Sequence, residues 1–294
     1  MDFKKVEIGD KKSIDEVLKT YPCHSLEYNF TTLFIWQKIF KTEFLIRNGF
    51  LHTMSGKTKK SFLFPAGDGD IKKELDFLID YSKSERMQLC FHSVGFKQKE
   101  ILETLFPDRF EFFEDRDSGD YVYSAESLKT LTGKKLAAKR NHINRFLENH
   151  PEWEYVPIDE KNRDEAISMH SRWCEGSKCD ENESLADETC AVKRAFRYYD
   201  ELGLSGGMLR IQDGICAFSM GDRLNDKTFL VHIEKAFSDV QGAYPMINKQ
   251  FVIHNCDGYE FVNREDDTGD EGLRRAKLSY GPVEIIKKYV VRER

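Results

Sequence analysis

Apolar residues recur along this chain with two different periods, and each change of period marks a change of element. The stretch LEYNFTTLFIWQKIF from Leu26 reads as helical, while Glu43 to Arg47 and Phe50 to Met54 read as strands around Asn48-Gly49, a dipeptide suited to a tight hairpin. Ser61 to Pro65 is a third extended run. Helical spacing over Ile71 to Ser82 gives way to a strand at Gln88 to Val94, a helix at Gln98 to Leu105, and short strands at Phe110 to Phe113 and Tyr121 to Tyr123. The second half repeats this order. Trp153 to Pro157 is extended, and Asp164 to Cys174 and Asp187 to Leu202 are helical. Gly207 to Gln212, Ile215 to Leu224 and Thr228 to Glu234 form an antiparallel meander turning at Asp213-Gly214, and Tyr244 to Asn255 is a helix before a strand at Tyr259 to Asn263.

Composition narrows the function classes. With 294 residues, 40% hydrophobic and 33% charged, the chain can bury a substantial core and is long enough for two domains. The 45 Lys plus Arg against 51 Asp plus Glu, a net charge of -6, argue against a dedicated nucleic-acid binder and give no reason to expect DNA as a partner. The N-terminal MDFKKVEIGDKK has no apolar signal core, and no apolar run is long enough for a membrane span. Seven scattered cysteines without a leader read as free thiols in a reducing cytoplasm. His170, Cys174, Cys179 and Cys190 form the tightest cluster, but their spacing lacks the paired knuckles of a zinc site, so no metal is expected.

The segment Tyr259 to Tyr289, YEFVNREDDTGDEGLRRAKLSYGPVEIIKKY, combines structure with chemistry. A strand enters a carboxylate-rich turn, a short helix follows with Leu273, Ala276, Lys277 and Tyr280 on one face, and Gly281-Pro282 ends it before a final strand. Lys277 falls between two positions of the apolar stripe, which directs its ammonium toward a cleft or an interface. Ala276, Lys277, Tyr280, Gly281 and Pro282 resemble the Phe-Lys-x-x-Phe-Gly and Phe-Lys-x-Lys-Phe-x-Pro motifs of the Fem aminoacyltransferases and of the C-terminal domain of phosphatidylglycerol lysyltransferase. Ala276 replaces the first Phe, and Ser279 replaces the second Lys.

The resemblance implies an α/β (α+β) fold of two tandem GNAT-like acyltransferase domains, with mixed, mostly antiparallel sheets flanked by helices. It also implies an acyl or aminoacyl transferase drawing on an aminoacyl-tRNA-like donor, with charged tRNA or another acyl donor as partner. The boundaries expected are 1–126 for a degenerate first domain, 127–150 for a connecting basic helix, and 151–294 for the domain holding the site. Lys277 would stabilise the oxyanion of acyl transfer and Tyr280 would donate to the leaving oxygen or close the core, with Glu265, Asp266 or Glu234 as candidate bases.

Two further segments bear on ligands. From Lys134 to Arg145 there are five Lys or Arg and no acid, with Leu136, Ile143 and Leu147 as the buried stripe. Lys139, Arg140 and His142 are therefore candidates for a phosphate grip, with a solvated helix face as the alternative. Coenzyme A in a GNAT enzyme binds at a helix start, here SDVQGAYP with Gln241, Gly242 and Ala243; its single glycine makes coenzyme A the less favoured donor, and no other cofactor is indicated. His232, Glu234 and Arg264 are polar groups expected to face the site. The alternatives are a non-catalytic module binding a nucleotide, tRNA or acylated carrier, and a coenzyme A dependent N-acetyltransferase.

Overall fold

A computed structural model describes residues 2–294. The chain divides into two compact units. The first comprises residues 1–120, 266–270 and 285–294, and the second comprises 121–265 and 271–284.

In chain order the first unit contains β1 (Lys4–Lys5), α1 (Lys11–Leu18), α2 (Phe30–Ile35), α3 (Gln37–Phe40), β2 (Glu43–Arg47), β3 (Phe50–Ser55), β4 (Ser61–Phe62), β5 (Ala66–Gly67), α4 (Ile71–Ser84), β6 (Cys90–Gly95) and α5 (Phe96–Leu105). It continues into β7 (Phe110–Ser124), whose last residues belong to the second unit. The β2–β3 hairpin turns where the pattern placed it, with Asn48 and Gly49 at φ 49° and 80°. A pair of positive φ values matches the twist of a tight hairpin, which is why Asn-Gly marks it.

The second unit continues with α6 (Ala125–Thr130), α7 (Ala137–Asn149), β8 (Glu154–Pro157), α8 (Arg163–Ser177), α9 (Glu183–Arg197), α10 (Tyr199–Leu202), β9 (Ser205–Ile211), β10 (Gly214–Arg223), β11 (Thr228–Ala236), α11 (Ala243–Asn255), β12 (Phe261–Asn263) and α12 (Glu271–Leu278). Its strands run in the order β7-β12-β11-β10-β9-β8, antiparallel except for β11 with β12. Meander, helix, strand and helix follow one another as the sequence indicated.

The final strand, β13 (Glu284–Glu293), pairs antiparallel with β6 inside the first unit, whose order is β1-β2-β3-β4-β6-β13-β7. This departs from the expected 151–294 boundary. Val291 lies in the first unit's core with Phe62, Leu78, Phe91 and Leu102, so burial of apolar side chains binds the strand there. The segment 127–150 lies wholly in the second unit and is not one helix. Leu131 (φ 52°) and Gly133 (φ 87°) break it between α6 and α7.

Among the described residues no helix is long and apolar enough to cross a membrane.

Candidate active site

Strands β11 and β12 pair in parallel only from Thr228–Phe261 to Leu230–Asn263. β12 then stops while β11 runs on to Ala236, and Arg264 leaves the strand end beside Glu234. Arg264 Nη2 donates to Glu234 Oε1 at 2.7 Å, and Asn248 Nδ2, from α11, donates to the other carboxylate oxygen at 2.9 Å. The guanidinium lies 4.7 Å from the Tyr280 ring centre and 5.5 Å from that of Tyr123. Lys139 Nζ reaches the same Tyr280 ring at 4.0 Å. Burial and the Arg264 charge push this lysine down to about 8, with Glu234 acting against them. Both Arg264 Nη1 and Asn248 Oδ1 are buried without a hydrogen-bond partner.

Lys277 enters from α12, but not as one member of a buried apolar stripe. Leu273 and Leu278 are 40% and 45% exposed, while Lys277 and Tyr280 are buried at 8% and 5%. The helix turns its lysine inward and its leucines outward because backbone ties fix its end. Tyr123 Oη donates to the Lys277 carbonyl at 2.8 Å, and Val283 N donates to Val122 O at 2.8 Å. The Lys277 ammonium donates to the Arg264 carbonyl at 2.6 Å and sits 5.8 Å above the Tyr121 ring. A buried ammonium needs such acceptors, since an ungrouped charge there would be expelled or neutralised. Tyr280 packs edge-on against Tyr123, which accounts for its burial.

His232 and Glu265 are held to each other rather than turned toward a ligand. Met220 pairs with Ile233 and Gly221 with Val231, which leaves His232 as the extra residue of a β-bulge. Its Nδ1 lies 3.0 Å from Glu265 Oε1, and its Nε2 lies 3.1 Å from Asp222 Oδ1. Burial opposes the charged ring, but the two carboxylates outweigh burial and raise His232 to about 9. Glu265 thus faces a cation, a poor setting for a base.

The remaining candidates are dispersed. Arg140 Nη1 donates to the carbonyls of Leu131 and Gly133, so this guanidinium closes the turn before its own helix and does not point into a cleft. His142 is exposed, and the buried stripe of α7 uses Phe146 where Leu147 was expected; Leu147 is 38% exposed. Gly242, at φ 84°, would place a Cβ 2.2 Å from the His142 carbonyl oxygen. Its lack of a side chain serves the close approach of α11 to α7, and the Ala243 amide donates to Val240, while Gln241 is exposed. Asp266 belongs to the first unit, where its charge supports the buried Lys288. Cys174 Sγ lies 3.1 Å from Thr189 Oγ1 and 3.7 Å from His170 Nε2, whereas Cys190 is exposed. Among the described residues no three His, Cys, Asp or Glu are grouped to hold a metal ion.

Sequence reasoning missed Asn248, Tyr123 and Asp222. Asn248 carried a usable signal, being a polar residue on the buried face of the apolar helix AYPMINKQFVI. Tyr123 carried none, because its partners lie far along the chain, and Asp222 meets His232 only through the bulged register of β10 with β11.

The order of elements is that of a tandem GNAT fold, which a tandem GNAT protein of clavulanic acid biosynthesis shares, with a TM-score of 0.51 at 7% identity over 99% of this chain and 97% of that one. The chain belongs to the phosphatidylglycerol lysyltransferase C-terminal family, which it matches over residues 18–292. L-PGS from Bacillus licheniformis has a TM-score of 0.67 at 14% identity, covering 99% of this chain and 93% of that one. A conserved protein of unknown function from Bacteroides thetaiotaomicron is far more similar, with a TM-score of 0.96 and 37% identity over 100% of both chains. An uncharacterised protein of Mycoplasmoides gallisepticum is 25% identical over 179 residues, which is 60% of this chain but only 56% of that protein.

Proposed function

We propose that the chain is an aminoacyl transferase that takes its acyl group from the ester of a charged tRNA, with the chemistry in the second unit. The observation that carries this reading is the pair of buried, unpartnered atoms at Arg264 Nη1 and Asn248 Oδ1. Leaving such atoms unsatisfied costs about 1–3 kcal/mol each, so the site favours a ligand offering an acceptor to Arg264 and a donor to Asn248. An aminoacyl group has both, in its carbonyl and its amine. Family membership supports the same class.

In this reading the acceptor's amine or hydroxyl attacks the ester carbon. A new bond to nitrogen or oxygen forms, the bond to the ribose oxygen breaks, and the ribose oxygen leaves with a proton. Lys277, oriented by the Arg264 carbonyl, stabilises the oxyanion between these events. The nucleophile's proton goes to Lys139, which passes it to the departing ribose oxygen. Its pKa of about 8 leaves an appreciable neutral fraction near neutral pH, whereas Glu234 and Glu265 are committed to cations.

The test is loss of labelled amino acid from a panel of charged tRNAs, measured for the wild type and for Lys277→Met, in parallel with acetyl coenzyme A. Lysine-dependent consumption of one charged tRNA is expected. Consumption of acetyl coenzyme A alone would replace this reading with an N-acetyltransferase, and stable tRNA binding without turnover would replace it with a binding module.

A further inference from the structure

The Lys277 ammonium donates to a backbone carbonyl, that of Arg264, and the residue after it is strained. Glu265 has φ 58°, a left-handed conformation that costs a residue with a full side chain on the order of 1 kcal/mol or more. Asn or Asp would settle there more readily. Four contacts hold the turn instead: Glu265 N donates to Asn263 Oδ1 at 2.6 Å, Tyr121 N to Glu265 O at 3.0 Å, Arg264 N to Tyr121 O at 3.0 Å, and the Glu265 carboxylate meets His232 Nδ1 at 3.0 Å.

The last contact depends on the β-bulge. As the extra residue of β11, His232 is turned out of the ladder to lie between Asp222 of β10 and Glu265, with its side chain 1% exposed. A neutral imidazole has one N–H and could donate to only one of these carboxylates, whereas an imidazolium donates to both. Two largely shielded carboxylates around a neutral ring, with side chains 10% and 19% exposed, would also repel each other. We infer that His232, kept as an imidazolium between Asp222 and Glu265, is a positioning residue that locks the left-handed turn at Glu265 and, through the Arg264 carbonyl, aims the Lys277 ammonium.

The other charges nearby do not compete for the ring. Arg264 and Glu234 form their own pair, and Arg223 and Tyr259 lie on the Asp222 side. The elevation of His232 to about 9 agrees with an imidazolium at neutral pH.

The functional importance of the inference rests on the transfer role proposed for Lys277, so its test reads geometry separately from activity. The full chain is labelled with [13Cε1]histidine and [13Cε]lysine, and the two signals are identified with His232→Gln and Lys277→Met. On titration, the Lys277 Cε signal is expected to move with the His232 signal at a common midpoint near pH 9. In His232→Gln the Lys277 signal should already occupy its high-pH position at pH 7. Should that variant fail to fold, Asp222→Asn decides the matter: it removes one carboxylate, the His232 midpoint should fall by about one unit or more, and the Lys277 transition must fall with it. A Lys277 signal indifferent to His232 ionisation overturns the inference. If the signals are coupled yet Lys277→Met retains full transfer, the positioning stands and the role assigned to Lys277 fails.

Discussion

At the residue scale, Lys277 is the charge the sequence displayed most openly, because a lysine inside an apolar helical pattern is unusual. Replacing it with Met keeps the stem and removes the ammonium. Transfer is expected to fall by roughly 100- to 1000-fold, the usual loss for one oxyanion donor. Leaving the Arg264 carbonyl without its donor is expected to cost about 1–3 kcal/mol of stability. Turnover and denaturant unfolding of the same preparation check both numbers. Lys139 was legible as a basic residue but not as a half-buried one, since its neighbours Tyr280 and Arg264 come from distant sequence. Its depression to about 8 means that the neutral base accumulates as pH rises through that value. The rate of transfer should therefore climb with a midpoint near pH 8, and Lys139→Met should abolish that limb of the profile. A flat wild-type profile from pH 7 to 9 would remove Lys139 as the base.

At the scale of elements, the pattern read hairpins, the meander and most helices well, because each rests on local periodicity or turn chemistry. It failed where a distant partner decides the outcome. The run EDRDSGD looked like a break between two short strands, yet β7 is continuous from Phe110 to Ser124. Ladder partners elsewhere in the chain satisfy its backbone, and no local signal announces them. The same applies to Gly242, which reads as a phosphate-loop glycine but serves helix packing. Gly242→Ala should be strongly destabilising, as its Cβ would meet a backbone oxygen and the residue would retain a left-handed φ. A melting-temperature decrease with no change in coenzyme A binding is expected; selective loss of coenzyme A affinity in a fully stable variant would contradict the packing role. The bulge at His232 makes a pH prediction. Because its folded pKa lies above the ordinary 6.5, its contribution to stability is complete below pH 6.5 and fades as pH rises through about 9. The wild-type melting temperature should fall over that window, and His232→Gln should start lower and converge with it at the alkaline end.

At the scale of the whole molecule, the tandem order was legible but the route of the chain was not. The first unit is closed by residues 285–294, and β13 carries Lys288 into its interior, fully buried. Lys288 Nζ meets Asp120 Oδ1 at 2.5 Å and Glu27 Oε1 at 2.8 Å. Burial raises Asp120 to about 6, whereas the lysine holds Glu27 below its ordinary value despite burial. Lys288→Met would remove the cation shared by both carboxylates, so a loss of about 3–5 kcal/mol is expected. Adding Asp120→Asn and Glu27→Gln should recover most of it. Equilibrium unfolding of the single and triple variants makes the comparison, and a Lys288→Met loss under about 1 kcal/mol would count against a buried ion cluster holding the strand.

The placement of β13 also imposes a schedule on synthesis. A ribosome delivers the first unit's helices and strands early, but the strand that belongs between β6 and β7 comes only after the entire second unit has been made, about 10–30 s later at ordinary elongation rates. Throughout that interval β6 and β7 offer unpaired edges, and Asp120 and Glu27 wait for their cation. The nascent chain is thus exposed to edge-to-edge association for as long as the second unit takes to emerge.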